Sequence, residues 1–488
     1  MSRHVYFLGI GGIGMSALAR WFHASGAEVA GYDRTPTDLT RSLAAEGMAV
    51  DHSGDIANMP TSLREDMTQG HTARWTIVWT PAIPSDFPLL VALRAAGFEP
   101  VKRAELLGRI SRERPLLAVA GTHGKTTTTS LLAHILDFAG MPMEAFLGGI
   151  ALGRASNLWM NQANATGETD RQTPWMVAEA DEFDRSFLQL HPRCAAITSV
   201  EPDHLDIYGE PEELLEAFRA FAGQVDEGGL LVHADTAVAL TAKPMPGQAQ
   251  WQHYGELESG EHLSDRGWAA AYAAVEAPEG KPGFTLHLEG CAPIPIRWRM
   301  PGSHNSANAT AAAYLALQAG VDPSCLAEAI GSFPGVARRF EVRHTSDRHV
   351  IVDDYAHHPS EISGTIAAAR LAYPGRHITG VFQPHLYSRT RDFMTEFAQA
   401  LSALDACILL PIYAARETPM PGVDAQGIGE KMAGCPVKCP PENRFLDVLE
   451  ELDPDVLLFM GAGDLDQWID PAWARLEGET NPPRIESP

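Results

Sequence analysis

The sequence predicts an α/β protein built from three domains, and three observations lead to this prediction. Its 488 residues correspond to roughly three domains of about 150 residues each. Apolar runs of strand length alternate along most of the chain with segments of helical periodicity, which is the pattern of βαβ units. Two of these runs lead directly into glycine-rich turns, at residues 9–14 and 121–124, where α/β domains commonly bind phosphate groups.

The first α/β unit is predicted over residues 1–112 and has the alternation of a Rossmann-like domain. Its apolar runs predict three strands, at Val5–Leu8, Glu28–Tyr32 and Thr76–Thr80. Helical periodicity over Met15–Ser25 follows the first of them. A charged segment that runs up to Pro115 ends the unit, since proline punctuates regular structure.

A second unit, with a mainly parallel sheet, is predicted over residues 113–333. Its buried strands are expected at Leu116–Ala120, Trp175–Glu179 and Cys194–Val200. An alanine-rich helix over Ala307–Ala319 leads to the proline-glycine break that closes the unit. The stretch from Asp235 to Arg299 is poorly patterned, and no chemistry is assigned to it.

The third unit, residues 334–488, is predicted to be another Rossmann-like domain. Four apolar runs predict its strands, at His349–Asp353, His377–Phe382, Ala406–Pro411 and Val456–Met460. Helical segments separate these runs, so the unit repeats the βαβ pattern. The proline-containing tail from Asn481 onward is expected to fray.

The charge balance argues against nucleic acid as a partner. Lysine and arginine number 37 against 62 aspartates and glutamates, a net charge of −25, and so acidic a surface repels polyanions. The excess fits an ordinary acidic soluble protein or, alternatively, one adapted to a saline habitat. Six cysteines without the spacing of a zinc site indicate free thiols in a reducing compartment.

The apolar stretch Val5–Ala19 has the length of a secretory signal, but its four glycines fit a phosphate-binding turn instead. No other run approaches the roughly 18 apolar residues that a membrane span requires. We therefore expect a cytoplasmic protein without membrane insertion.

The first glycine-rich turn, Gly9-Ile10-Gly11-Gly12-Ile13-Gly14, opens the helix after the first strand. Its backbone can approach a diphosphate closely, and the helix N-terminus offers unpaired N–H groups to the negative charge. Asp33, 19 residues after Gly14, is in position to accept a ribose hydroxyl. The motif does not distinguish a dinucleotide from another nucleotide diphosphate, and a glycine turn without a ligand is the alternative.

The second turn, Gly121-Thr122-His123-Gly124-Lys125-Thr126-Thr127, predicts a central domain of the P-loop ATPase type. The N–H groups of such a loop surround phosphates, Lys125 reaches the terminal ones, and the Thr126 hydroxyl binds Mg²⁺. Val119 stands in place of the first glycine of the common pattern, so the loop is a variant. A surface turn with an ordinary lysine is the alternative.

Carboxylates at the ends of neighbouring parallel strands are candidate Mg²⁺ ligands. Glu179 closes one predicted strand. The segment Asp181-Glu182-Phe183-Asp184 follows it and fits a solvated turn equally well. After the next strand comes Asp203-His204-Leu205-Asp206. Its histidine either binds a second metal ion or caps the strand, and the local sequence favours the cap.

Taken in order, these motifs resemble those of the Mur ligases, ATP-dependent enzymes that form amide bonds in peptidoglycan precursor synthesis. The resemblance covers most of the chain and also rests on His304-Asn305-Ser306-Ala307-Asn308 and Arg338-Arg339-Phe340. Three further segments are similar to the branch that adds L-alanine to UDP-N-acetylmuramate. They are residues 10–16, Asp353-Asp354-Tyr355-Ala356-His357-His358-Pro359 and Phe382-Gln383-Pro384-His385.

The resemblance implies ATP and Mg²⁺ as cofactors, and UDP-N-acetylmuramate and L-alanine as substrates. The implied ATP contacts are Gly121, Thr122, His123, Gly124, Lys125, Thr126, Thr127, His304, Asn308, Arg339 and Asp353. The implied metal ligands are Thr126, Glu179 and His204. The UDP-substrate would contact Gly11, Gly12, Ile13, Gly14, Met15 and Asp33. This assignment replaces a dinucleotide as the expected ligand of the first glycine-rich turn. The incoming amino acid would be surrounded by Tyr355, His357, His385 and Arg389.

Two features bear on the branch of the family. Several Mur ligases bind metal through a carbamylated lysine, but this chain has no lysine between Lys125 and Lys243, which supports the alanine-adding branch. Leu386 stands where many alanine-adding ligases have an arginine, so Arg389 is expected to carry more of the carboxylate contact. Alternatively, Leu386 only packs and Arg389 pairs with Asp392.

The implied reaction activates the substrate carboxylate as an acyl phosphate, with Lys125 and Mg²⁺ stabilising the transferred phosphoryl group. His204, His357 or His385 would then accept the proton of the amine, and the third domain would close over the site.

A monomer or weak homodimer is expected. The alternatives are a murein-peptide recycling ligase, folylpolyglutamate synthase, a nicotinamide-dependent dehydrogenase and a non-catalytic nucleotide switch.

Overall fold

The computed structural model describes residues 3–154, 156–161, 173–203, 205–226, 229–241, 251–274, 283–415 and 417–478. Within these ranges the strands form three sheets, and helices connect and cover them. The prediction of a three-domain α/β protein with mostly parallel sheets is confirmed. None of the described helices is both long and apolar enough to cross a membrane.

The N-terminal sheet contains β1 (His4–Leu8), β2 (Glu28–Tyr32), β3 (Ala49–Asp51), β4 (Trp75–Trp79) and β5 (Val101–Lys102). These strands are parallel, in the order β3-β2-β1-β4-β5. Their helices are α1 (Ile13–Ala24), α2 (Asp38–Ala45), α3 (Thr61–Gln69), α4 (Pro88–Ala95) and α5 (Arg103–Ser111). The first glycine-rich turn therefore joins β1 to α1 at the carboxyl edge of the sheet, which is the ligand-binding edge of such folds.

The central sheet contains β6 (Leu116–Ala120), β7 (Met143–Phe146), β8 (Leu158–Asn161), β9 (Trp175–Ala180), β10 (Cys194–Ile197), β11 (Leu230–His233), β12 (Trp251–Glu256), β13 (Ala270–Ala274), β14 (Gly283–Leu288) and β15 (Ile294–Arg297). Its order is β15-β14-β13-β12-β11-β10-β6-β9-β7-β8. The strands from β13 to β7 are parallel neighbours, whereas β8, β14 and β15 pair antiparallel at the two ends. The poorly patterned stretch thus supplies β12 to β15.

The helices of the central part are α6 (Lys125–Phe138), α7 (Leu205–Tyr208), α8 (Pro211–Ala222), α9 (Ala234–Leu240), α10 (Leu263–Arg266), α11 (Ser303–Gln318) and α12 (Leu326–Gly331). Strand β6 is fully buried along its length. Its sequence is continuously apolar because helices cover both faces of a parallel sheet. This strand delivers the second glycine-rich turn to the N-terminus of α6, whose neighbour in space is α11.

The C-terminal sheet contains β16 (Glu341–Thr345), β17 (Val350–Asp354), β18 (Ile378–Phe382), β19 (Ala406–Leu409), β20 (Val437–Lys438) and β21 (Val456–Met460). Its order is β16-β17-β21-β18-β19-β20, and only β16 pairs antiparallel among these described strands. Its helices are α13 (Pro359–Ala372), α14 (Tyr387–Asp392), α15 (Met394–Leu401), α16 (Ala425–Gly429), α17 (Phe445–Leu452) and α18 (Ile469–Glu477).

Two element boundaries at the second glycine-rich turn bear directly on the shape of this loop. Strand β10 ends at Ile197 rather than at Val200, because the chain beyond it turns under the loop. There the carbonyl oxygen of Ser199 accepts a hydrogen bond of 3.0 Å from the N–H of Thr122. Helix α6 begins at Lys125, directly after Gly124, so its first turn belongs to the loop.

Candidate functional site

The loop between β6 and α6 is shaped by two glycines with left-handed backbone angles. Gly121 has φ of +135° and Gly124 has φ of +82°, conformations that favour glycine. A Cβ at Gly124 would collide with the side-chain amide of Asn308, and one at Gly121 with the hydroxyl of Thr198. The loop is therefore a close-fitting cradle at the start of a helix, the arrangement that binds phosphate.

Lys125 is held by a carboxylate that local sequence did not identify as its partner. Its ammonium donates to both oxygens of Glu182, at 2.9 and 2.8 Å, and to the carbonyl of Gly121 at 2.6 Å. Burial opposes the charged ammonium, but the carboxylates of Glu182 and Asp181 outweigh it and raise the pKa of Lys125. The side chain of Glu182 is 1% exposed, so this residue does not belong to a solvated turn.

Glu179 and Thr126 form the oxygen-donor part of the predicted metal site. The N–H of Gly148 donates to the Glu179 carboxylate at 2.9 Å, and the hydroxyl of Thr126 is also hydrogen-bonded to it. Burial raises the pKa of Glu179, against the opposing charge of Lys125. These neutral and anionic oxygens are ligands that suit Mg²⁺. The third predicted ligand, His204, lies outside the described residues.

A cavity of about 630 Å³ opens beside the loop, between the central and C-terminal sheets. The central part contributes His304 and Asn308 from α11, and the C-terminal part contributes Arg339 and Asp354. The structure thus brings three of the four predicted contacts outside the loop to one cavity. This volume is in the range of small-molecule and cofactor sites.

Asp353, the fourth of those predicted contacts, does not line the cavity. Its side chain is fully buried, with Arg338 and Arg343 each 3.6 Å away. Burial raises the pKa of Asp353 to about 7, although Arg338 opposes the shift. The carboxylate at the cavity is that of its neighbour Asp354, which accepts a 2.7 Å hydrogen bond from the N–H of Phe340. The structure thus places Asp354, rather than Asp353, at the cavity.

Glu361, on α13, joins the loop to the C-terminal domain and was missed by the sequence analysis. It lies 3.1 Å from the Nδ1 atom of His123 and accepts a 3.0 Å hydrogen bond from the N–H of His357. Burial disfavours the charged form of His123, but the carboxylates of Glu361 and Glu201 raise its pKa to about 9. The spacing of Glu361 four residues from His357 is the sequence signal that could have identified it.

The residues predicted around the amino acid form an aromatic cluster. The rings of Tyr355 and His357 are 5.3 Å apart, those of His357 and His385 are 6.3 Å apart, and Tyr413 stacks on His385 at 5.7 Å. The Nδ1 atom of His357 lies 2.9 Å from the carbonyl oxygen of Tyr355. Since a carbonyl only accepts, this contact assigns the proton to Nδ1 and leaves Nε2 as the basic nitrogen.

Arg389 forms an ion pair with the central domain. Its guanidinium donates to the carboxylate of Asp203 at 2.5 Å, and both residues are buried. The alternative pairing with Asp392 is not found, since the carboxylate of Asp392 accepts from Arg391 at 2.7 Å. Leu386 is buried, with φ of +70°, which supports the interpretation that it fills apolar space.

The first glycine-rich turn forms a second cradle, in the N-terminal domain. The carboxylate of Asp33 accepts a hydrogen bond of 2.8 Å from the N–H of Gly11 and one of 3.1 Å from that of Thr35, so it fixes the shape of the loop. Ile13 is exposed, whereas Met15 is buried in the core. The guanidinium of Arg103 lies where a Cβ of Gly14 would project, and it is 3.6 Å from Asp181 of the central domain.

Comparison with known proteins gives a consistent result over most of the chain. Three family profiles match, described as "Mur ligase family, catalytic domain" over residues 4–115, "Mur ligase middle domain" over 119–316 and "Mur ligase, glutamate ligase domain" over 338–463. A UDP-N-acetylmuramate--L-alanine ligase of Christiangramia forsetii is 41% identical over 96% of each chain. One of Cytophaga hutchinsonii is 40% identical over 96% of this chain and 95% of its own.

Solved structures show the same fold. A UDP-N-acetylmuramate-alanine ligase from Thermotoga maritima aligns with a TM-score of 0.75 at 24% identity, covering 97% of this chain and 99% of its own. A murein peptide ligase from Psychrobacter arcticus aligns with a TM-score of 0.67 at 21% identity, covering 97% and 98%.

Proposed function

The chain belongs to the Mur ligase family, and we propose that it joins L-alanine to the carboxylate of UDP-N-acetylmuramate with cleavage of ATP. The observation that carries this proposal is its similarity, at 40% and 41% identity over 96% of the chain, to ligases named for these two substrates. The geometry supports it, because the lysine of a phosphate-binding loop lies beside a cavity that two domains share.

In this proposal ATP binds in the cavity, with its phosphates on residues Gly121 to Thr127 and its base beside His304 and Asn308. Arg339 and Asp354 approach it from the C-terminal domain. Supporting this placement, Asn308 packs directly on Gly124, so the loop and the base-binding helix α11 form one surface. Mg²⁺ completes the site, with Thr126, Glu179 and His204 as its protein ligands, and when bound it neutralises charge on the phosphate oxygens.

The first step transfers the γ-phosphoryl group. A carboxylate oxygen of UDP-N-acetylmuramate attacks the γ-phosphorus, ADP leaves, and an acyl phosphate forms. Lys125 stabilises the charge on the transferred oxygens. Because its ammonium donates to the carboxylate of Glu182, binding of ATP exchanges one anionic partner for another. Glu182 thus keeps the lysine charged and oriented beside its site of action.

The second step forms the amide bond. The amine of L-alanine attacks the acyl carbon, and inorganic phosphate leaves. His357 accepts the amine proton at Nε2, since its Nδ1 is engaged by the carbonyl of Tyr355. Tyr355 and His385 enclose the amino acid. Arg389 binds its carboxylate after leaving Asp203, whose carboxylate occupies the guanidinium in the same way that the substrate would.

Each of the three domains binds one of the three substrates in this proposal. Residues 1–112 bind the UDP-substrate through the first glycine loop, residues 113–333 bind ATP, and residues 334–488 bind the amino acid. The enzyme acts in the cytoplasm as a monomer or weak homodimer, without nucleic acid or membrane partners. The net charge of −25 supports a soluble protein that avoids polyanions.

The decisive assay measures phosphate released from ATP in the presence of UDP-N-acetylmuramate and one amino acid at a time. We expect release with L-alanine to exceed that with glycine, L-serine or D-glutamate, and to require the UDP-substrate. Preferential use of an L-alanyl-γ-D-glutamyl peptide in place of L-alanine would instead identify a recycling ligase. The proposal would be contradicted if no phosphate were released under all of these conditions, including those with L-alanine.

A further inference from the structure

Three side chains of types that can bind a metal ion lie close together where the phosphate-binding loop meets the C-terminal domain. His123 comes from the loop, Glu201 follows β10, and His358 immediately precedes α13. The Nε2 atom of His123 is 3.5 Å from a carboxylate oxygen of Glu201, and the Nδ1 atom of His358 is 3.8 Å from the same oxygen. One donor atom from each residue lies within 4.8 Å of the other two.

These separations suit a common metal ion after small side-chain adjustments. Ligands about 2.0–2.2 Å from a tetrahedral ion are themselves separated by little more than 3 Å. Two imidazoles and one carboxylate are a donor set typical of Zn²⁺ and related transition metals, whereas Mg²⁺ prefers oxygen atoms only. The cluster is therefore chemically different from the oxygen donors Thr126 and Glu179.

The surroundings of the cluster also favour a cation. The second ring nitrogen of His123 is 3.1 Å from Glu361, which is the carboxylate-histidine arrangement that orients many metal-bound imidazoles. The carboxylates of Glu361 and Glu201 raise the pKa of His123 to about 9 despite its burial. They stabilise positive charge at this point, which either a proton or a metal ion can supply. His358 is 4% exposed, so its ring is fixed by packing.

We propose that His123, Glu201 and His358 form a transition-metal site, selective for Zn²⁺ over Mg²⁺, that bridges the central and C-terminal domains. The metal ties the phosphate-binding loop to the start of α13. Because His123 and Glu201 line the cavity, the bound ion occupies space beside the nucleotide site and opposes entry of ATP. This inference does not rest on the identity of the substrates.

The test is calorimetric titration of the full chain with Zn²⁺. Thiols also bind zinc, and Cys435 and Cys439 are the candidates near each other in sequence, so the titrations use a Cys435→Ser/Cys439→Ser background. We expect one site that Mg²⁺ does not displace. Glu361→Gln, which removes the partner of His123, should weaken zinc binding about 10- to 100-fold, and His358→Ala should weaken it more. His377→Ala, an exposed histidine of the same domain, is the matched control and should leave the affinity unchanged.

Titration with Co²⁺ identifies the ligands independently of affinity. A site of imidazole and carboxylate ligands lacks the intense thiolate charge-transfer band, and its visible absorption should disappear in His358→Ala. Because His358 precedes a helix, Glu201→Gln serves as a second variant at a half-exposed position, and circular dichroism checks the fold of both. Zinc affinity that is equal in the parent, His358→Ala and Glu201→Gln would overturn the proposal, as would a thiolate spectrum.

Discussion

The central domain meets its two neighbours through interfaces of opposite character. Toward the N-terminal domain, one continuous apolar cluster contains Phe7 and Phe22 together with Phe146 and Met176 of the central domain. Toward the C-terminal domain, the described contacts include the ion pair of Arg389 with Asp203 and that of His123 with Glu361. The apolar clusters around the C-terminal sheet, among described residues, draw only on residues from 340 onward.

This difference indicates which domain moves. Opening the N-terminal interface exposes apolar surface, at a free-energy cost of about 25 cal/mol per Å². Opening the C-terminal interface separates charged groups that water or a ligand can solvate again. We therefore expect the N-terminal and central domains to move as one body, and the C-terminal domain to open for ATP and close for reaction.

The largest expected effect is at Lys125, in the loop of the central domain beside the cavity that it shares with the C-terminal domain. Lys125→Ala should lower the turnover number by about a thousandfold or more, because it removes a charge that stabilises the transferred phosphoryl group. Released phosphate measures the rate. The matched control is Lys102→Ala, which breaks a half-exposed ion pair with Asp184 at the N-terminal interface and should leave the rate near that of the wild type. Comparable losses of rate in Lys125→Ala and Lys102→Ala would contradict the different roles that we assign to the two interfaces.

Arg389 tests whether the ion pair at the mobile interface exchanges with substrate. Arg389→Ala should raise the KM for L-alanine about tenfold or more, since a charge-assisted hydrogen bond contributes about 1.5–3 kcal/mol, while the KM for ATP changes less. Asp203→Asn should lower the KM for L-alanine, because it weakens the internal competitor. Steady-state kinetics with each substrate varied separately distinguishes these effects. Equal increases for L-alanine and ATP in Arg389→Ala would assign the residue to domain contact alone.

Leu386 tests whether the position after His385 has room for a second arginine. Leu386→Arg should destabilise the protein by about 1–3 kcal/mol, because the side chain is buried and a longer one overfills its site. Denaturant unfolding provides the measurement. Leu371→Arg on α13, where the leucine is 68% exposed, is the control and should be close to neutral. If Leu386→Arg retained full stability and tightened alanine binding, the packing interpretation would be wrong.

The smallest of these effects is expected at the fixed interface. Asn157 is fully buried, and its side chain accepts a 2.6 Å hydrogen bond from Arg20 of α1. Asn157→Ala should reduce the free energy of unfolding by about 1 kcal/mol, because Arg20 retains Glu46 as a partner. The KM for ATP should not change. Asn58→Ala, at an exposed position of the N-terminal domain, controls for loss of an amide without interface contact.

Sequence was sufficient for features that depend on neighbouring residues. Both glycine-rich turns were predicted because a strand, a turn and a helix start follow one another directly in the chain. Asp353 and Asp354 could not be told apart in this way, since β17 is buried on both faces and its apolar pattern does not alternate. The face that each aspartate occupies depends on packing against the rest of the domain.

The partners of Lys125 and Arg389 required the tertiary structure. Glu182 lies 57 residues from Lys125, and Asp203 lies 186 residues from Arg389, so no periodicity links them. The acidic segment that contains Glu182 fitted an ordinary solvated turn equally well. Glu361 was also missed, but the sequence alone could have identified it. It lies four residues after His357, near the start of a helix.

The central claim, that only the C-terminal domain moves, can be tested by distances between pairs of spin labels. Exposed sites are available on all three domains, at Val91, Val238 and Leu371, and cysteines placed there can be labelled after the accessible native thiols are replaced. We predict that the distance between positions 91 and 238 stays constant when an ATP analogue and UDP-N-acetylmuramate are added, whereas that between 238 and 371 changes. A changed first distance, or a constant second distance with binding established by calorimetry, would contradict the account.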